Sequence, residues 1–152
     1  TILVLLMFIG ACAGSTGGGF KISRLLILCK AIPKQLSLVI HPREVKVIRM
    51  DGKPIDHNTL RSTNVYLAIY FFILLVSTLL ISVDNFNLTT NFTAVASTLN
   101  NIGPGLDGVG PTRNFGMYSD FSKFVLMFDM LAGRLELYPL LILFMPSLWR
   151  RK

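Results

Sequence analysis

Thr98-Leu99-Asn100-Asn101-Ile102-Gly103-Pro104-Gly105 is the stretch on which the fold of this chain turns. A short helical run, Asn91 to Leu99, precedes it, and a long apolar helix follows beyond a glycine-rich link. A half-length helix ending in Asn-Asn-x-Gly-Pro-Gly between two apolar spans is the pattern of a re-entrant pore loop. Its glycines let backbone carbonyls face a common axis and replace the water around a cation. Asn-Gly and Pro-Gly pairs also make ordinary turns. A turn, however, has no need of a half-helix in front of it. A pore does, because the carbonyl end of that helix favours positive charge.

Working outward, Val65 to Val83 is 19 residues without a charge, long enough to span a bilayer. Asp84 to Thr90 is short and polar. Beyond the loop, Asp107 to Tyr118 is a link rich in glycine, and Ser119 is a predicted N-cap for a helix from Asp120 to Leu148. At 1.5 Å per residue that helix would be roughly 43 Å long, more than one hydrocarbon thickness. Trp149-Arg150-Arg151-Lys152 then forms a basic interfacial tail.

At the other end, Thr1 to Ile9 is an apolar half-span. It is interrupted by Gly10 to Gly19, which holds five glycines in ten residues, and apolar periodicity resumes from Phe20 to Ile32, where Pro33 is expected to end it. Irregular backbone is tolerated at membrane depth only when protein covers it or it lines a wet cavity. The start lacks the basic region of a signal peptide, so the chain is expected to begin inside a helix of something larger. Between the two apolar regions, 33–64 is polar, with a hairpin expected around Asp51-Gly52.

Composition agrees. The 152 residues are 52% hydrophobic and 15% charged, with a mean hydropathy of +0.59. A soluble domain carries about 25% charged residues. Nine of the 15 Lys and Arg lie between Lys21 and Arg61, and three more close the chain. That clustering beside apolar spans follows the positive-inside rule and argues against nucleic acid as a partner. It places 33–64 in the cytoplasm and both 84–91 and 106–118 outside. Cys12 and Cys29 have no ligand spacing and read as reduced thiols.

No nucleophile set, paired carboxylates or metal cluster is recognisable, so an enzyme is not expected. Gly14-Ser15-Thr16-Gly17-Gly18-Gly19-Phe20-Lys21-Ile22-Ser23 lacks the contiguous Gly-Lys-Ser/Thr of a phosphate loop. Its glycines suit either close helix packing or a flexible flap in a pore. Arg134, about 15 residues into the last helix, would sit near mid-membrane, where a charge is costly and a functional candidate. Asp129 and Glu136 are poorly spaced to pair with it. The sequons at Asn87 and Asn91 are short enough to arise by chance.

Four motifs in this order resemble the C-terminal third of the TrkH/TrkG potassium uptake proteins, grouped with KtrB and the plant HKT transporters. They are Phe8 to Lys21, His41-Pro42-Arg43, Leu99 to Leu106, and Gly133-Arg134-Leu135-Glu136. The resemblance implies an all-α integral membrane fold in which four helix–pore loop–helix repeats surround one pore. Residues 1–32 would be the second helix of the third repeat, broken at 10–19, and 65–148 the complete fourth repeat, with 149–152 a cytoplasmic tail. It implies a filter of Asn101, Ile102, Gly103 and Pro104, with potassium held by the backbone of Ile102 and Gly103. It implies a gate of Gly14, Ser15, Thr16, Gly17, Gly18, Gly19 and Arg134. Potassium would be the transported substrate, with no covalent cofactor. A homodimer in the lipid of a bacterial inner membrane and a TrkA-type nucleotide-binding regulatory subunit are also implied. The alternative is a membrane-embedded structural subunit that does not conduct.

Overall fold

The structure is a computed structural model and describes residues 2–10, 19–41, 48–50 and 53–135. Its helices are α1 (Ile2–Ile9), α2 (Ile22–Ile40), α3 (His57–Ile81), α4 (Leu88–Leu99) and α5 (Asp120–Leu135). Between α2 and α3, β1 (Arg49–Met50) pairs antiparallel with β2 (Lys53–Pro54), in the register Arg49 to Pro54 and Met50 to Lys53. The rest is an all-α assembly in which α4, the expected half-helix, packs against α1, α3 and α5.

Local chemistry sets the boundaries. Asn58–Asp84 is, among the described residues, the one helical stretch long and apolar enough to cross a membrane. The helix stops where Asn85 turns left-handed (φ 56°), a conformation that asparagine tolerates. Ser119 caps α5, its Oγ accepting from the Ser122 amide at 3.3 Å. The hydroxyls of Thr93, Ser97 and Thr98 fold back onto α4's own carbonyls at 2.7–2.9 Å. That is why so polar a helix is buried along most of its length.

The core gathers Phe20, Tyr66, Tyr70, Ile81, Val95, Leu99 and Leu126 around α4. Outside it, Phe72 is 68% exposed on α3 and Phe124 67% exposed on α5, with Leu75, Leu79 and Met127 alongside. An apolar surface of that extent belongs against lipid or other protein, not water.

Two expected boundaries shift. α2 does not end at Pro33 but runs through it to Ile40. The proline forfeits one backbone hydrogen bond, a loss that helices beside other helices absorb. α3 starts at His57, earlier than Val65, because its first two turns are polar. Ser62 and Thr63 there return their hydroxyls to the Thr59 carbonyl at 3.0 and 2.8 Å. Hydropathy finds only the apolar part of a helix that projects beyond it. The expected stretch of the last helix after Leu135 and its tail lie outside the described residues, as does Cys12, while Cys29 is free and exposed.

Candidate functional site: a glycine loop at the end of a buried half-helix

α4 ends in a Schellman motif. Asn101 is left-handed (φ 54°), its amide donates to the Thr98 carbonyl at 3.0 Å, and the Ile102 amide donates to the Ser97 carbonyl at 2.9 Å. These bonds turn the amides of the loop root back into the helix. The chain is recaptured at Gly105, whose amide donates to the Val109 carbonyl at 2.8 Å, and at Leu106, whose amide donates to Thr93 Oγ1 at 3.0 Å. Thr90 Oγ1 donates to Asp107 Oδ2 at 3.0 Å just beyond. Between the two anchors, the carbonyls of Asn100 through Pro104 accept no hydrogen bond among the described residues. Gly103 has φ 111°, and a Cβ placed on it would meet nothing within 4 Å.

The root is pinned from two sides. Asn101 Nδ2 donates to the Met130 carbonyl of α5 at 3.1 Å. Gly133, one turn further, lies so close to Leu99 that a Cβ there would overlap the Leu99 carbonyl oxygen. From α3, the Tyr70 hydroxyl donates to Asn100 Oδ1 at 2.9 Å, and Asn100 Nδ2 donates to the Ala96 carbonyl at 2.7 Å.

Of the predicted site residues, Asn101, Ile102, Gly103 and Arg134 line one open groove of about 550 Å³, together with Lys123 and Met130. Arg134 is exposed in it. Pro104 is exposed beside the groove without lining it. Gly19 closes against Asn100, a Cβ on it standing 3.1 Å from Asn100 Oδ1. Gly14, Ser15, Thr16, Gly17 and Gly18 lie outside the described residues, as does Glu136. Gly10 and Gly19, which flank that stretch, touch backbone to backbone: a Cβ on Gly19 would stand 2.9 Å from Gly10 Cα.

Three features escaped the sequence. Tyr70 bonds the root of the loop at Asn100, with no signal beyond a hydroxyl in a charge-free span. Asp129 is fully buried on α5, Oδ1 accepting from Ser77 Oγ of α3 at 2.7 Å and Oδ2 without a partner. Asn91 is no modification site: it is buried, donating to the Phe86 carbonyl and accepting from the Tyr118 hydroxyl. Just past the C-terminal end of α3, Asp84 Oδ2 accepts from the Ser119 amide and hydroxyl at 3.0 and 3.1 Å. Hydrogen bonding from Ser122, with that from Ser119, holds the Asp84 carboxyl below its ordinary range.

An apolar span, a buried half-helix and a loop of unpaired carbonyls leading into a second apolar helix define a helix–pore loop–helix membrane protein. The family model described as "TrkH: Cation transport protein" matches residues 1–151, and the chain belongs to that family. It is 39% identical over 149 residues to the Trk system potassium uptake protein TrkH of Vibrio parahaemolyticus, covering 98% of this chain and 30% of that protein. It is 34% identical to the Trk system potassium uptake protein TrkG of Escherichia coli K12, covering 99% of this chain and 31% of that one. The crystal structure of the potassium transporter TrkH from Vibrio parahaemolyticus superposes with a TM-score of 0.86 at 38% identity, over 98% of this chain and 31% of that chain. The chain thus spans about 30% of the length of the relatives it matches.

Proposed function

We propose that Asn100–Gly105 is one quarter of a potassium selectivity filter, and that the protein carries potassium into the cell across a bacterial inner membrane. The observation that carries this reading is the run of carbonyls from Asn100 to Pro104, unpaired among the described residues and held between two hydrogen-bonded anchors. Carbonyls left free by the fold can replace the hydration shell of a cation, and fixed anchors limit which cation they fit. The carbonyl end of α4 adds a favourable field for positive charge. Potassium is favoured among cations because the relatives are named for its uptake. Other repeats supply the remaining quarters.

The gate belongs to the same proposal. Arg134 shares a groove with the filter residues, where its charge opposes a permeating cation. Glycine is a poor helix former, so the glycine-rich sequence 10–19 would offer backbone carbonyls to the five donors of Arg134. A homodimer and a TrkA-type regulatory subunit complete the assembly, and 33–64 is its cytoplasmic side.

Uptake by the intact protein in a host without its own potassium transport tests both parts. Gly103→Ser is expected to weaken the preference for potassium over sodium, because a side chain resists φ 111°. Arg134→Ala is expected to raise flux and loosen dependence on the regulatory subunit. Unchanged ion preference removes Gly103 from the filter. Unchanged flux and regulation return Arg134 to a packing role. A wild-type protein that supports no uptake would be the structural subunit instead.

A further inference from the structure

Tyr70 stands where the glycine neck and the filter root meet. Its ring is met edge-on by Phe8 of α1, at 6.4 Å between centroids, and at a tilt by Phe20, at 6.2 Å. Phe8 lies just before Gly10 and Phe20 just after Gly19, so the ring is gripped by both strands of the neck. Phe8 also reaches the pore-loop helix, packing on Phe92 at 6.0 Å. The neck is narrow because both glycines are left-handed, at φ 68° and 91°, with their backbones in contact.

The other end of Tyr70 is equally fixed. Its hydroxyl donates to Asn100 Oδ1 at 2.9 Å, and both residues are 3% exposed. The orientation of the Asn100 amide is not free, since only its nitrogen can donate to the Ala96 carbonyl. Oδ1 must therefore face Tyr70, and the Gly19 backbone closes on that same oxygen. One atom of the filter root thus feels the neck twice: directly through Gly19, and through Phe8 and Phe20 by way of Tyr70.

We propose that Tyr70 is a positioning residue that couples the neck formed by Gly10 and Gly19 to the ion preference of the filter. The inference rests on the filter reading above. Moving the neck displaces Phe8 and Phe20, and the ring must follow because a close-packed aromatic cluster leaves it no room. A hydrogen bond near 2.9 Å weakens steeply once stretched and misaligned, so a small ring displacement frees Asn100. Asn100 immediately precedes Asn101, whose left-handed turn launches the filter carbonyls. Coupling of this kind is reciprocal: ion occupancy of the filter biases the neck as the neck biases the filter.

Tyr70→Phe in the intact protein tests this directly, since it keeps the ring and its packing and deletes one hydroxyl. Uptake of potassium and of sodium is measured in proteoliposomes of purified wild type and variant. The potassium-to-sodium ratio is expected to fall by up to about tenfold, the worth of one buried hydrogen bond expressed as a ratio. Gly19→Ala, which pushes on the same oxygen, is expected to add little to that fall in the double variant. If Gly19→Ala does not fold, Phe8→Leu and Phe20→Leu replace it, loosening the grip on the ring from the neck side. An unchanged ratio in Tyr70→Phe overturns the proposal, as do effects that multiply independently in the double variants. Gly103→Ser is the control. If it changes the ratio while Tyr70→Phe does not, the coupling falls and the filter reading stands. If neither changes it, both fall.

Discussion

The root and the rim of the Asn100–Gly105 loop are adjacent in sequence and opposite in physical character. At the root, Leu99 and Asn100 are buried, and α3, α5 and the glycine neck all press on them. At the rim, Ile102 is 44% exposed and Gly103 has open space where a side chain would be. Each region depends on a glycine, for different reasons. Gly133 is needed at the root because another backbone occupies the place of its side chain. Gly103 is needed at the rim because of its dihedral angle alone. On the proposed filter reading, the difference teaches that stability rests on the root and ion preference on the rim, so one kind of substitution should break one without the other.

The largest expected effect follows from that separation. Gly133→Ala should destabilise the intact protein by about 2–3 kcal/mol, the cost of overpacking against an unyielding neighbour, despite alanine's better helix propensity. The neighbour here is the Leu99 carbonyl rather than a flexible side chain, so the root itself must move. Gly103→Ser should cost about 1 kcal/mol of backbone strain and show itself mainly in ion preference. Thermal unfolding of both variants in one detergent checks the ranking. A Gly133→Ala protein as stable as wild type would erase the contrast between root and rim.

A second tie braces the root from further away. Asp129 lies one turn before Gly133 on α5, and among the described residues its carboxyl takes its one hydrogen bond from Ser77 of α3. Ser77→Ala leaves a buried carboxyl group with neither oxygen partnered and should cost about 1–3 kcal/mol. Replacing both residues with apolar ones of similar shape, Ser77→Ala with Asp129→Leu, should recover most of that loss. Unfolding midpoints of the single and double variants form the cycle that measures it. A double variant no better than Ser77→Ala alone would mean that Asp129 makes contacts beyond the Ser77 pair.

The parts of this architecture that a local pattern can write were legible in the sequence. Val65 to Val83 announces itself by having no charge, and Asn101 to Gly105 by turn chemistry after a half-helix. Ser119 was legible as a cap because capping is settled within three residues. What could not be read are meetings between distant residues. Tyr70 and Asn100 are 30 apart, and Ser77 and Asp129 are 52 apart. No periodicity marks one serine in an apolar span as a carboxyl partner and its neighbours as lipid-facing. Gly133 stood in a recognised motif, yet its purpose lies in the Leu99 carbonyl it meets. Pro33 misled for the opposite reason, because the local rule was right and the tertiary setting overrode it.

The smallest effect belongs to the tie furthest from the root. Asp84, just past α3, ties that helix to the N-terminus of α5 through Ser119, at a site less buried than that of Asp129. Its carboxyl sits below the ordinary range because hydrogen bonds from Ser122 and Ser119 favour the charged form. A carboxyl lowered on folding contributes stability that is complete above the unfolded-state value and is lost as pH falls through the folded-state value. The window therefore lies at and below the usual carboxylate range, near pH 4 and under. Unfolding midpoints of wild type and Asp84→Asn, followed from neutral pH into that window, should converge as the wild type gives up the bond. The gap at neutral pH should be smaller than that of Ser77→Ala, because water competes for the half-buried Asp84 carboxylate more than for the fully buried Asp129 group. An Asp84→Asn gap as large as the Ser77→Ala gap, or one that persists below the window, would place structural weight at the Asp84 end. The contrast between a braced root and a lightly held periphery would then have to be redrawn.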